Sequence, residues 1–170
     1  MLPTIPEVLR SVTIIDMKKQ TGQKAILNRR AKFDYELGDE LVVGIELTGP
    51  EVRAARQGHV HLKGAFVTII QNQLYLNNAS FSLASQEKGG NNRTVDTRAR
   101  RLLAHRKQID ELKVASGQSG MSILPLKFLN SGRYMKLVIA VGKGKKQYDK
   151  RETIKRRDSA RDAARAMKNR

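Results

Sequence analysis

Arg29, Arg30 and Lys32 put three cations within four positions behind Asn28 and directly ahead of Phe33 and Tyr35. Guanidinium and ammonium groups meet phosphates, and planar rings stack on unpaired bases, so this spacing suits RNA. Phe33 reads as core, whereas Tyr35 is equally compatible with core and with stacking. Arg98, Arg100 and Arg101 form a second cationic cluster, which Arg53 and Arg56 can extend. Other chemistry finds little support. His59, His61 and His105, in a chain without Cys, are too few for a closed zinc site, so no metal is expected. Gly142, Lys143 and Gly144 lack the spacing of a nucleotide loop and read as a flexible joint, so no cofactor is expected. Acidic residues are scattered, and nothing pairs a base with a nucleophile in sequence. The expectation is a binding protein rather than an enzyme.

Charge points the same way. The 170 residues hold 33 Lys and Arg against 16 Asp and Glu, a formal charge of +17. Such a surplus exceeds what solubility needs and costs stability through self-repulsion, so it should exist to meet a polyanion. Nucleic acid is favoured over membrane. No apolar run approaches the roughly 20 residues of a spanning helix, and Trp, which anchors at interfaces, is absent. The N-terminus has no basic leading region, and Glu7, Arg10 and Asp16 interrupt its apolar residues, which disfavours a secretory signal. A cytoplasmic protein is expected.

Twelve of the basic and four of the acidic side chains lie in residues 143–170, so this tail carries about half of the surplus. Its sizeable apolar groups are Tyr148, Ile154 and Met167, too few to fold alone. Beyond Asp149 it holds neither Gly nor Pro, and Ala160, Ala163, Ala164 and Ala166 among many Arg and Lys favour helix. The tail is therefore expected to be disordered when free and helical when bound to RNA.

The body must position the cations. Residues 41–47 read as a strand, and Thr48, Gly49 and Pro50 start a short helix that ends at Gly58. VHLKGAFVTII and QLYLNNASF read as strands turning near Gln71, Asn72 and Gln73, with Phe66, Val67, Ile69 and Ile70 in the core. Residues 84–97, with Gly89, Gly90, Asn91 and Asn92, read as a mobile loop. His105 with Gln108 resembles a capping box for a helix through Ile109, Leu112 and Val114 that fades by Gly117. MSILPLKFL and RYMKLVIAV then pair around Asn130, Ser131 and Gly132, with an edge or bulge at Pro125. Short strands, two helices and no βαβ alternation imply a mostly β fold, an antiparallel OB-like barrel plus the basic tail. The organisation expected is an N-terminal extension (1–23), a barrel (24–142) and a tail (143–170).

Five segments in order carry a resemblance: NRRAKFDY from Asn28, GIELTGPEVRAARQG from Gly44, RARRLLAHRKQI from Arg98, SILPLKF from Ser122 and GKGKKQYDKRETIKRRD from Gly142. Over about residues 24–168 the chain resembles the SsrA-binding protein family, small protein B, of bacterial ribosome rescue. The resemblance implies a monomeric barrel that binds the tRNA-like domain of transfer-messenger RNA and delivers it to stalled 70S ribosomes. It also implies elongation factor Tu as a partner through the charged RNA, and a tail that enters the empty mRNA channel as a helix. On the RNA face it places Asn28, Arg29, Arg30 and Lys32, with Arg98 and Arg101 as neighbours, and Tyr35, Arg53 and Arg56 join them as candidates on residue type alone. In the decoding region and channel it places Lys143, Lys145, Lys146, Tyr148, Asp149, Lys150, Arg151, Ile154, Arg161 and Met167. The chain departs from the family pattern at Phe33, where His is usual, and at Val42, where an acidic residue is usual. It fits that pattern poorly over residues 78–97. Two alternatives remain: a general OB-type RNA-binding or ribosomal protein anchored by its tail, and an RNA-modifying activity within the barrel.

Overall fold

The computed structural model describes residues 25–84, 93–131 and 133–146, and, within the tail, Tyr148, Ser159, Arg161, Arg165 and Met167. Among the described residues, ten strands and three helices make up the body. In chain order they are β1 (Ile26–Leu27), α1 (Arg29–Asp34), β2 (Tyr35–Ile45), α2 (Gly49–Arg56), β3 (Val60–His61), β4 (Phe66–Ile70) and β5 (Gln73–Asn77). They continue with β6 (Ser80–Ala84), β7 (Arg93–Asp96), β8 (Arg100–Leu103), α3 (Arg106–Ser116), β9 (Met121–Ser131) and β10 (Tyr134–Gly144). Seven strands follow the order β1-β9-β10-β2-β8-β5-β4, and a β4–β9 contact at Val67 and Ile123 closes the sheet on itself. Every pairing is antiparallel, as an OB-like barrel requires. A smaller sheet, β3-β6-β7, lies alongside.

Alternation decides which side chains fill the barrel. On β4 it sends Val67 inward, 5% exposed, and leaves Phe66 and Ile70 at 43% and 54%. Neither of the latter two is core as expected. Leu74, Leu76, Phe81, Phe128, Leu137 and Ile139 are fully enclosed, and Phe81 meets Phe128 edge to face at 6.1 Å. The β4–β5 turn lies at Gln71 and Asn72, both with positive φ (48° and 59°), which matches the right-handed twist of a two-residue hairpin. Asn78 (φ 57°) then breaks the run expected to be one strand into β5 and β6.

Helices α2 and α3 form where their caps stand. The Thr48 backbone N–H donates to Glu51 Oε2 (2.7 Å), and the His105 N–H donates to Gln108 Oε1 (3.0 Å). Ile109 and Leu112 are buried, but Val114, five residues past Ile109, falls off that helical face and is exposed. Pro125 sits beside a bulge: β10 residues Val138 and Ile139 pair with Lys127 and Pro125, and Leu126 is skipped.

Two further expectations are corrected. Arg93–Asp96, expected within the loop, is strand β7 on β6, and residues 85–92 of that expected loop lie outside the described residues. Gly142 and Gly144 are not a joint. They pair within β10 with Leu37 and Tyr35, and a Cβ on Gly142 would stand 3.1–3.2 Å from Leu37, Leu124 and Tyr35. The glycine serves close packing, and the barrel runs on to Gly144.

Candidate nucleic-acid interface

Helix α1 exists because Asn28 fastens its start. The Asn28 carboxamide oxygen accepts from Ala31 N (3.2 Å), while its Nδ2 donates to Leu62 O and Pro125 O, both at 2.9 Å. The side chain is 7% exposed with its donors spent, so Asn28 leaves the expected RNA face and becomes the peg that holds it. Ala31 seals the helix against Leu124, Leu126 and Ala140. Arg29, Arg30 and Lys32 point to solvent, with Arg30 bridging Asp34 at 3.0 Å. Phe33 is half-buried rather than core, and Tyr35, also half-buried, packs on the Ala31 cluster.

The second cationic cluster divides. Arg100, expected at the surface, is fully buried. Its Nε donates to Glu51 Oε1 (2.8 Å), its Nη1 to Ala79 O (2.9 Å) and Arg98 O (2.8 Å), and its Nη2 to Asp96 O (3.1 Å). The guanidinium also lies 4.0 Å over the Phe81 ring. Arg98 grips the same carboxylate through Nε to Oε1 (2.9 Å) and Nη2 to Oε2 (2.6 Å), while its side chain stays 43% exposed. Burial alone would raise the Glu51 pKa, but hydrogen bonds from Arg98 and Thr48 and the Arg100 charge hold it below the usual carboxylate range. Burial lowers Arg100 below the ordinary guanidinium value despite Glu51, whereas the hydrogen bond that Arg98 donates to Glu51 raises Arg98. Both stay cationic, so a buried carboxylate with two guanidinium partners ties α2, β8 and the small sheet together. The sequence did not signal Glu51 as their shared partner, because 47 and 49 residues separate it from the two arginines. Arg53 and Arg56 are exposed on α2, and Arg101 is half-exposed, 3.6 Å from Glu46.

A further surface was not anticipated. Gly44 pairs with Leu103 on one side and Lys136 on the other, and a Cβ on Gly44 would stand 3.2 Å from Leu103 Cβ. Leu103, Val42 and Tyr134 are 47%, 48% and 65% exposed, and the Arg133 guanidinium stands 5.7 Å from the Tyr134 ring centroid. These residues and Lys136 form a shallow apolar face with cations at its margin, the composition on which unpaired bases stack. The departure at Val42 lies on this face. Only cross-strand register assembles it, which the sequence does not spell out.

At the far end of β10, Lys143 pairs with Glu36, and the Lys145 N–H donates to Asp34 O (2.9 Å), so the tail leaves the body beside α1. Tyr148, Arg161 and Met167 are helical and exposed. Lys146 is exposed at the root, while Asp149, Lys150, Arg151 and Ile154 lie outside the described residues.

The model of the SmpB protein family matches residues 25–169. An SsrA-binding protein of Exiguobacterium sp. is 39% identical over 153 residues, 90% of this chain and 97% of the relative. The SsrA-binding protein of Oenococcus oeni is 42% identical over 143 residues, 84% and 90% of the two chains. This chain belongs to the SmpB family. A solved structure described as "tmRNA-SmpB: a journey to the center of the bacterial ribosome" superimposes with a TM-score of 0.59 at 34% identity, covering 76% of this chain and 94% of that one. The SmpB match takes in both the barrel and the tail, and it begins where the described body begins.

Proposed function

We propose that this protein binds transfer-messenger RNA through its barrel and carries it to stalled 70S ribosomes for trans-translation. The family match over residues 25–169, together with a solved relative described as a tmRNA–SmpB complex of the bacterial ribosome, carries this reading. Arg29, Arg30, Lys32, Arg53, Arg56 and Arg101 contact phosphates, and the Gly44–Leu103–Tyr134 face receives unpaired bases. Support comes from their exposure and from the surplus of +17.

The tail, from Lys145 through Tyr148, Asp149, Lys150 and Arg151 to Ile154, Arg161 and Met167, probes the empty mRNA channel and folds there as a helix. The protein acts as a cytoplasmic monomer, without catalysis, and meets elongation factor Tu through the charged RNA. Isolating the protein from cells and sequencing the RNA bound to it tests the core of this reading. One dominant small stable RNA with an alanine-tRNA-like end is expected. A spread of ribosomal RNA fragments in its place would favour a general rRNA-anchored protein.

A further inference from the structure

A guanidinium has two usable edges, and Arg98 spends only one of them on the protein. Its Nε and Nη2 form a paired contact with the two Glu51 oxygens at 2.9 and 2.6 Å. Nε also lies 3.8 Å from Asp96 Oδ2, while Nη1 has just a long 3.5 Å contact to Ala99 O. The Nη1/Nη2 edge therefore remains for a second planar acceptor, and the side chain is 43% exposed. We propose that this outer edge of Arg98 is a site for an RNA backbone phosphate, and that Glu51 is the positioning residue that aims it.

Everything around Arg98 is fixed. Glu51 is fully buried and is held by Thr48 N and Arg100 Nε as well, so the carboxylate cannot follow a moving arginine. The Arg98 backbone is pinned through its N–H to Asp96 Oδ1 (2.9 Å) and through its carbonyl, which accepts from Arg100 Nη1 (2.8 Å). Arg98 and Arg100 together face two carboxylates, Glu51 and Asp96, with Asp96 Oδ2 3.6 Å from Arg100 Nη2 and 3.8 Å from Arg98 Nε. Arg98 adds a pre-oriented fork at the surface, in which little side-chain freedom remains to be lost on binding. An arginine so aimed binds phosphate better than an unrestrained surface cation.

The inference deepens the transfer-messenger RNA reading, and the wild-type protein separates the two. Binding of the tRNA-like fragment by the full chain is measured against salt concentration for wild type, Glu51→Gln and Arg98→Lys. Each is held at a temperature where its far-ultraviolet dichroism is native. If wild type does not prefer this fragment over another RNA of equal length, the functional reading fails. Given that preference, Arg98→Lys keeps the Glu51–Arg100 pair but must choose between carboxylate and phosphate. It should bind about tenfold more weakly, with a salt slope lower by about one. Glu51→Gln removes a negative charge, which by charge alone tightens RNA binding, yet it should weaken binding and lower the slope in the same way. Unchanged or tighter binding by Glu51→Gln, or a wild-type slope for Arg98→Lys, overturns the proposal. If Glu51→Gln does not fold, Arg98→Lys decides.

Discussion

Glu51 shows how much one side chain can hold. Removing one partner from a buried, hydrogen-bonded charge cluster leaves the others uncompensated, so Glu51→Ala should lower stability by about 3–5 kcal/mol in denaturant melts. Because its pKa is lower in the folded protein than the ordinary 4.5, the unfolded chain takes up the proton first on acidification. The stability Glu51 supplies is complete above about pH 4.5 and drains away as the pH falls through the folded-state value. Melts from pH 7 to pH 3 should show this loss in wild type and a flatter profile in Glu51→Gln. Asn28 is comparable at smaller scale. Asn28→Ala removes a helix cap and strands two carbonyls, and it should cost about 2–3 kcal/mol. Residue types were legible in the sequence, but their partners were not. Arg29, Arg30 and Lys32 proved to be surface cations, whereas Arg100, identical in type, is buried by a carboxylate 49 residues away.

Elements were legible where local chemistry decides them. Thr48 and His105 mark helix starts because the residue three positions on, Glu51 or Gln108, bonds back to the cap's N–H. The β4–β5 turn is legible in place, though its residues are not the best for its shape. Two positive φ values favour Asn-Gly over Gln71-Asn72, so replacing the pair with Asn-Gly should raise stability by about 0.5–1 kcal/mol, measured as a higher melting temperature. Helix α1 was not legible, since six residues carry little periodicity and its cap works through contacts to Leu62 and Pro125. Strand β7 was missed because pairing with β6, not composition, makes it a strand. At this scale α1 acts as a rigid mount for three cations. Changing Arg29, Arg30 or Lys32 to Ala should each lower the salt slope of RNA binding by about one, with the melting temperature nearly unchanged.

Across the whole molecule, charge and topology divide the work. The barrel closes through the β4–β9 contact, and β10 stays paired with β2 as far as Gly144, so the body presents surfaces built without the tail. The chain passes α1 where the Lys145 N–H bonds Asp34 O, and the residues that follow in sequence hold a large share of the positive surplus. The proposed division gives RNA choice to the barrel and ribosome sensing to the tail. The most direct test changes Asp149, Lys150 and Arg151 together to Ala, then measures transfer-messenger RNA affinity and peptide tagging on stalled ribosomes side by side. Affinity within about twofold of wild type with tagging abolished is the predicted result, since those residues belong in sequence to the tail and not to the barrel surfaces proposed to hold the RNA. Loss of affinity in step with tagging would contradict the division.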